Sequence, residues 1–325
     1  MSSVRILSTG TSIPSKVITN SYLEKIVDTN DEWITARTGI KERRMADENH
    51  ASSDLGAEAA QKAIDKAAID PMDIDVVIVA TITPDYLFPS TACLIQKTIG
   101  ADNAYAFDLS AGCSGYLYAM QVAKGMIDGG CAETILIIGA ETLTRVTDYE
   151  DRGTCILFGD GAGATILQKS DERGILSICL GSDGGGWDLL YQPGGGSRIP
   201  SSVQSVENKE HYLKMNGKEV FKIAVTSMGN ASVQAIEKAG IKPEDIDMFI
   251  AHQANYRIMD AVRKRLKMPT EKVFMNISKY GNTSSASVPI ALDEALEQGK
   301  IKKGDLILFS VFGAGFTWGA SVIEW

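Results

Sequence analysis

The sequence predicts an α/β fold built by duplication, and three observations carry that prediction. First, residues 63–75 (Ala-Ile-Asp-Lys-Ala-Ala-Ile-Asp-Pro-Met-Asp-Ile-Asp) return at 235–247 as Ala-Ile-Glu-Lys-Ala-Gly-Ile-Lys-Pro-Glu-Asp-Ile-Asp. Nine of the thirteen positions are identical, at a constant offset of 172. Second, each copy closes a helical pattern, turns at Pro71 or Pro243, and enters an apolar run, Val76–Ala80 or Met248–Ala251. An unbroken apolar run between helical patterns marks a strand buried on both faces of a parallel sheet. Third, Ser110-Ala-Gly-Cys113-Ser114 matches Lys279-Tyr-Gly-Asn282-Thr283 in role, a polar residue after glycine at the start of a second helix. Two halves related in this way, 1–172 and 173–325, set the helix starts at 113 and 282 side by side. That arrangement suits the handling of negative charge.

Taken in chain order, an insertion-like stretch at roughly 20–50 comes first. Ser21-x-x-Glu24 reads as a capping box, and Asp28-Thr-Asn-Asp-Glu-Trp33-Ile-Thr-Ala-Arg37-Thr-Gly39 follows. Trp33 and Arg37 stand one helical turn apart, which fits a flat aromatic ligand bearing phosphates; the residues alone favour a surface helix with one packed tryptophan. After the first repeat strand, an apolar run ends at the glycine turn before Cys113, and Thr134–Gly139 supplies the next strand. Phe158-Gly-Asp-Gly161-Ala-Gly163-Ala164 resembles a dinucleotide fingerprint, but it runs into strand-like Thr165–Gln168 instead of opening a helix. Tight backbone packing is expected there. Segment 184–216, with two triple-glycine runs, Pro193 and Pro200, reads as a long excursion between the halves. The second half closes on strand Leu306–Ser310 and the hairpin-like Phe312-Gly-Ala-Gly315-Phe-Thr-Trp-Gly319.

Composition narrows the function classes. Hydrophobic residues make up 44% and charged residues 22%, ample for a large core. A net charge of −9 argues against general affinity for nucleic acid or anionic membranes. No apolar run is long enough to cross a bilayer, and the N-terminus lacks the pattern of a signal peptide, so a soluble cytoplasmic protein is expected. Five cysteines (93, 113, 131, 155 and 179) form no C-x-x-C pair, which speaks against a disulfide framework and against a metal site.

Cys113 is the candidate nucleophile, because a sulfur at a helix start is favoured as thiolate by the helix end. A small buried hydrophobe is the commoner fate of a free cysteine. Of the three histidines, His50 and His211 lie in polar stretches, whereas His252 directly follows the second repeat strand, where open α/β sheets place ligands. Asn282 is either a helix N-cap or an amide donor to a developing oxyanion. Amides of the C-terminal glycine turn are placed to complete an oxyanion hole with the Cys113 N–H. Arg257, Arg263, Lys264, Arg265 and Lys267 form a basic cluster on an acidic chain, either helix-stabilising or a dock for an acidic partner.

Nearly end to end, the chain resembles the β-ketoacyl-acyl-carrier-protein synthase III family of the thiolase-like superfamily. The resemblance rests on Asp28-Thr-x-Asp-Glu-Trp33-Ile-x-x-Arg37-Thr-Gly39-Ile, Phe88-Pro-Ser, Cys113-Ser-Gly115, Asp151-Arg152 and Phe158-Gly-Asp-Gly-Ala-Gly163. It continues through His252-Gln-Ala-Asn255, Gly281-Asn282-Thr283-Ser284 and Phe312-Gly-x-Gly-Phe-Thr-Trp-Gly319. It implies a duplicated five-layered αβαβα fold with two mixed central sheets, a homodimer, and a Cys113–His252–Asn282 triad with an oxyanion hole from Cys113 and Ala314. It further implies coenzyme A or pantetheine contacts at Thr29, Trp33, Arg37, Arg152, Gly217, Asn255 and Phe312. Gln253, Ala254, Asn255, Tyr256 and Arg257, with Lys222, Lys264 and Arg265, become carrier-protein contacts, and Phe88 closes the acyl pocket of the neighbouring subunit. Acyl-CoA is then a substrate and no cofactor is expected.

The implied reaction joins a short acyl-CoA to malonyl-acyl-carrier protein, with loss of CO2, to start fatty-acid synthesis. The alternatives are a related acyl-CoA condensing enzyme of secondary metabolism and a non-catalytic carrier-protein scaffold. The sequence departs from the family pattern at Gly112 and Ser114, where alanines are common, and at Ala314, where glycine is usual; the last role survives if the backbone angles suit alanine.

Overall fold

The two apolar runs of the repeat become strands at equivalent places in two sheets. The computed structural model describes residues 3–325; Met1 and Ser2, where the N-terminal reading begins, lie outside the described residues. The first half runs β1 (Ser3–Ser12), β2 (Lys16–Thr19), α1 (Asn20–Leu23), α2 (Asp31–Thr38), β3 (Glu42–Met45) and α3 (Ser52–Ala67). It continues with β4 (Val76–Ala80), α4 (Thr91–Ile99), β5 (Tyr105–Leu109), α5 (Gly115–Asp128), β6 (Thr134–Thr142) and β7 (Asp160–Ser170). Then come β8 (Ile175–Ser182), β9 (Leu190–Tyr191), α6 (Val203–Glu207), β10 (Lys214–Met215) and α7 (Gly217–Ala239). The chain ends with β11 (Met248–Ala251), α8 (Tyr256–Arg265), α9 (Ile277–Tyr280), α10 (Ser287–Glu297), β12 (Leu306–Gly313) and β13 (Thr317–Glu324).

One sheet has the order β1-β7-β6-β4-β5 and the other β8-β13-β12-β11. Strands β4, β5 and β6 are parallel, as are β11 and β12, while β7 and β13 return antiparallel. The sheets are therefore mixed, and their orders correspond strand for strand. Only the counterpart of β5 is reduced, to a single parallel bridge between Phe249 and Val273.

Strand alternation sorts the apolar run Val76–Ala80 onto two faces. Val77 and Val79 pack outward with Leu55, Ala59 and Ile95 of α3 and α4. Val76 and Ile78 face inward, against Tyr116, Leu117 and Met120 of α5 and Val288, Ala291 and Leu292 of α10. The same inner cluster includes Ile250 and Phe309 of the second sheet, whose outer face is covered by Val220, Met228 and Met259 of α7 and α8. Five layers result, with α5 and α10 as a central layer shared by both sheets. Ile78 and Ile137 are fully buried there, so truncating either to alanine costs about 2–5 kcal/mol.

Two local expectations change. The Ser21–Glu24 capping box does not form. Thr19 is the N-cap, accepting the Tyr22 N–H, so Ser21 lies inside the helix, and Glu24 instead accepts the Asp31 N–H at 2.7 Å. The start is set by Asn20, whose side chain is held by Asp31, Ile40 and the buried Arg43. The 184–216 excursion is ordered: β9 and β10 pair through Leu190 and Met215, and α6 follows a Ser202 cap. The glycine run that opens β7 packs tightly, as expected, for a Cβ at Gly163 would meet Pro289 at 2.8 Å.

Candidate active site

Cys113 sits in the 3₁₀ turn Gly112–Ser114 that leads into α5. Gly112 has φ +55°, and a Cβ there would lie 2.7 Å from the Ala314 nitrogen. The nucleophile turn thus touches the β12–β13 turn backbone to backbone. A Cβ at Gly313 would likewise collide with the Cys113 nitrogen. Ala314 is not among the residues with positive φ; the demanding conformation falls on Gly315 at +136°. Alanine is therefore compatible with the turn.

The thiolate expectation needs correction. The helix proper begins at Gly115, and burial pushes the Cys113 thiol from 9.0 up to about 12. The Ser284 hydroxyl works against that rise and the Glu141 charge adds to it. That rise is worth about 4 kcal/mol, more than the ~0.3–1 kcal/mol that a helix end supplies at the surface. At rest the sulfur holds its proton.

His252 follows β11, and its N–H donates to the Ser310 carbonyl at 2.8 Å. Burial pushes its pKa down to about 3, so the ring is neutral at neutral pH. Nδ1 lies 2.7 Å from the Ser287 Oγ, which also takes the Gln253 N–H at 3.4 Å. Assigning the Ser287 O–H as donor to Nδ1 puts the ring proton on Nε2.

Asn282 is held by its backbone: its N–H donates to Leu157 O at 2.8 Å and its carbonyl accepts from Gly159 at 3.0 Å. Its Oδ1 accepts the Ser284 N–H at 2.8 Å. The carbonyl end of the amide is thus engaged, which leaves Nδ2 as the donor toward the cavity. Asn282 is no helix cap, since α10 begins at Ser287.

Cys113, His252 and Asn282 line one cavity of about 530 Å³. Trp33, Arg37, Gly217 and Lys222 also line it, as do Ala254, Asn255, Arg257 and Phe312. Trp33 lies on α2, capped by Asn30, with the Arg37 guanidinium carbon 5.7 Å and that of Arg152 4.9 Å from the ring centroid. Arg152 also bonds the Asp28 carbonyl at 3.0 Å. Asn255 caps α8, accepting the Arg257 N–H at 2.8 Å.

Other expected residues lie elsewhere. Thr29 does not line the cavity, though its hydroxyl is buried without a partner. Tyr256, Lys264 and Arg265 are exposed along α8, with Lys264 paired to Asp260 and Arg265 bonded to Asn230. Gln253 is a correction: it is 1% exposed and cannot reach a docked partner. Its amide donates to Ala251 O and accepts the Asn276 and Ile277 N–H groups, which ties β11 to the segment before α9. Phe88 is 86% exposed and lies outside the cavity of its own chain, beside exposed Tyr86 and Leu87.

Residue-level reading missed Glu141, Ser284 and Ser287. The visible signal for Glu141 was a carboxylate at the end of the all-buried strand Thr134–Thr142. The cavity's apolar wall, with Ile156, Leu157, Met215 and Met228, also went unread.

Comparison with known proteins adds the family. Residues 107–184 match the family 3-oxoacyl-[acyl-carrier-protein] synthase III, and residues 236–325 match its C-terminal part. A curated β-ketoacyl-[acyl-carrier-protein] synthase III of Caldanaerobacter subterraneus subsp. tengcongensis is 54% identical over 98% of this chain and 97% of its own. The crystal structure of the 3-oxoacyl-[acyl-carrier-protein] synthase III of Aquifex aeolicus VF5 superposes with TM-score 0.92 at 47% identity, covering 99% of this chain and 100% of that one. The corresponding Thermus thermophilus structure gives TM-score 0.93 at 47% identity, over 99% of both chains. The fold is thiolase-like, as the resemblance implied.

Proposed function

The chain belongs to the 3-oxoacyl-[acyl-carrier-protein] synthase III family, and from that premise we propose how its site performs the initiating condensation of fatty-acid synthesis. It is an acyltransferase that joins a short acyl-CoA to malonyl-acyl-carrier protein, releasing CoA and CO2. The observation that carries the residue assignment is convergence: one thiol, one neutral imidazole and one amide donor line a single cavity that also holds Trp33 and Arg37.

Cys113 attacks the acyl thioester carbonyl, and the N–H groups of Cys113 and Ala314 receive the oxyanion as CoA leaves. Their contact across Gly112 and Gly313 supports this pairing. The malonyl thioester then occupies the same cavity. His252 Nε2–H and Asn282 Nδ2–H donate to its carbonyl oxygen as CO2 departs, and the resulting enolate attacks acyl-Cys113. Both donors are neutral, so they stabilise charge without taking up a proton. Trp33, with the guanidiniums of Arg37 and Arg152, receives the nucleotide end of CoA. Arg257, Lys222, Lys264 and Arg265 form the face for an acidic carrier protein, with Tyr256 and Ala254 beside them. The exposed Phe88 segment is the dimer contact, and the protein works in the cytoplasm without a cofactor. No helix among the described residues is long and apolar enough to cross a membrane.

Intact mass after incubation with acetyl-CoA tests the assignment. The mass should rise by one acetyl group, and Cys113→Ala should abolish the gain. Wild-type protein that stays unlabelled by every short acyl-CoA defeats it. Repeating the assay across straight and branched acyl-CoAs identifies the primer.

A further inference from the structure

Ser285 has one hydroxyl proton and two short oxygen contacts. Its Oγ lies 2.8 Å from the Ala80 carbonyl oxygen and 2.8 Å from Glu141 Oε1. Both are distances of a full O–H···O bond, and one proton shared between two acceptors would lengthen both. A backbone carbonyl only accepts, so the contact with Ala80 takes the Ser285 proton. The contact with Glu141 then needs a second proton, and Oε1 is the atom left to carry it. The other carboxyl oxygen has the opposite surroundings. Oε2 accepts from Thr83 Oγ1 at 2.7 Å, the Ile82 N–H at 3.1 Å and Thr81 Oγ1 at 3.3 Å.

Glu141 is fully buried at the end of β6, and every group bonded to it is neutral. An ionised carboxylate there would be costly. Gly161 of β7 lies opposite it, and Ser52 of α3 is bonded to Thr83 and Thr142. Among the described residues, the titratable group facing it is the Cys113 thiol. Asp160, beside it on β7, turns instead to Thr144 and the Ala46 N–H. Burial raises the Glu141 carboxyl above its ordinary range, by more than the hydrogen bonds from Thr83, Ser285 and Ile82 lower it. What Glu141 holds through Ser285 is the turn Ser284–Ala286. That turn lies directly on β6, where a Cβ at Gly139 would collide with the Ser285 carbonyl. Its Ser284 N–H is the group that engages Asn282 Oδ1.

We propose that Glu141 is a positioning residue that stays a neutral carboxylic acid, donating from Oε1 to Ser285 and so fixing the turn that orients the Asn282 amide. The positioning role rests on the reading of Asn282 as the enolate donor; the protonation state does not. An acid supplies one donor to Ser285 and one acceptor to the three donors after β4, which no apolar side chain does. It also places no charge behind the sulfur. The opposition that an ionised Glu141 would offer to a thiolate is thereby absent, and burial is what raises the thiol.

The test uses Glu141→Gln and Glu141→Leu in the full chain. The infrared spectrum of substrate-free wild type at pH 7, minus that of Glu141→Gln, should show a carboxylic-acid C=O band. Carboxylate bands in its place overturn the proposal. The folded protein should also hold a proton that the unfolded chain, with glutamate at its ordinary 4.5, has released. Stability from this group is complete below 4.5 and is lost as pH rises toward the raised folded value. Between pH 5 and 7 the wild-type folding constant should therefore fall about tenfold per pH unit relative to Glu141→Gln, read by denaturant unfolding. His252 titrates in both proteins and cancels. Glutamine carries one N–H more than the acid, so slopes are compared and not midpoints; parallel slopes overturn the proposal. Glu141→Leu should lower condensation roughly tenfold with less effect on acetylation of Cys113, and glutamine should recover most of that loss. Full condensation in Glu141→Leu, or an equal loss in Glu141→Gln, overturns the positioning role. Should Glu141→Leu not fold, Ser285→Ala takes its place with the same expected loss. If Asn282→Ala kept full condensation, the reading of Asn282 would fail while the band and the slope still decided the state of Glu141.

Discussion

Ser287→Ala should separate the two halves of the reaction. Ser287 touches the site only through the 2.7 Å contact with His252 Nδ1 and the longer one with the Gln253 N–H. Removing its hydroxyl leaves Nδ1 buried without a partner, at a cost of about 1–3 kcal/mol. The ring can escape part of that cost by turning or by moving its proton to Nδ1, and either change withdraws the Nε2–H from the enolate oxygen. Converted to a rate, about 1–3 kcal/mol is roughly a 5- to 150-fold loss in condensation. Acetyl transfer to Cys113 uses the backbone oxyanion hole and should stay near the wild-type rate. The assay pair is intact-mass acetylation and CO2 release from malonyl-carrier protein, each measured on the same preparation. Ser287→Thr keeps the hydroxyl and should recover most of the condensation. If Ser287→Ala condensed at the wild-type rate, or lost acetylation equally, the assignment of the imidazole proton to Nε2 would be wrong.

Further expectations follow from other parts of the molecule. Asn282→Ala should lower condensation roughly 10²- to 10³-fold and spare acetylation; full condensation activity would defeat the Nδ2 assignment. Trp33→Ala should raise the KM for acyl-CoA about tenfold, within the worth of one base–aromatic stack of about 1–3 kcal/mol, yet leave a pantetheine thioester without the nucleotide unaffected. His252, with its pKa held at about 3 against 6.5 when unfolded, binds fewer protons folded than unfolded between those values. Stability therefore rises with pH across that window, and melting curves at pH 4.5 and 7 should show a smaller acid loss in His252→Asn than in the wild type. Leu87→Asp and Phe88→Asp, at positions 82% and 86% exposed, should yield monomers in sedimentation if this segment is the dimer contact.

The parts of the fold that were legible in the sequence are those written over short spans. The helix–proline–strand unit could be read at its 172-residue offset because Pro71 and Pro243 each open a 3₁₀ turn that leads into a buried strand. The scarcity of histidines singled out His252. What stayed hidden depends on contacts far apart in the chain. Ser285 meets Glu141 across 144 positions, and Ser287 meets His252 across 35. The resemblance implied a carrier-protein contact at Gln253, but the Asn276 and Ile277 N–H groups draw its amide inward. The state of Cys113 was misjudged because a sequence displays the helix start and not the desolvation around the sulfur.

The shared central layer bears on ancestry. Helices α5 and α10 bury their apolar sides between two sheets, so neither half alone has a cover for that surface. A half-length forebear would have hidden it only against a copy of itself, with the two 3₁₀ turns that lead into these helices, Gly112–Ser114 and Ser284–Ala286, related by a twofold axis and hence carrying the same residues. Joining the copies in one chain frees the positions to diverge, and the unlike pair at the 172-residue offset, Cys113 and Ser285, is what that freedom yields.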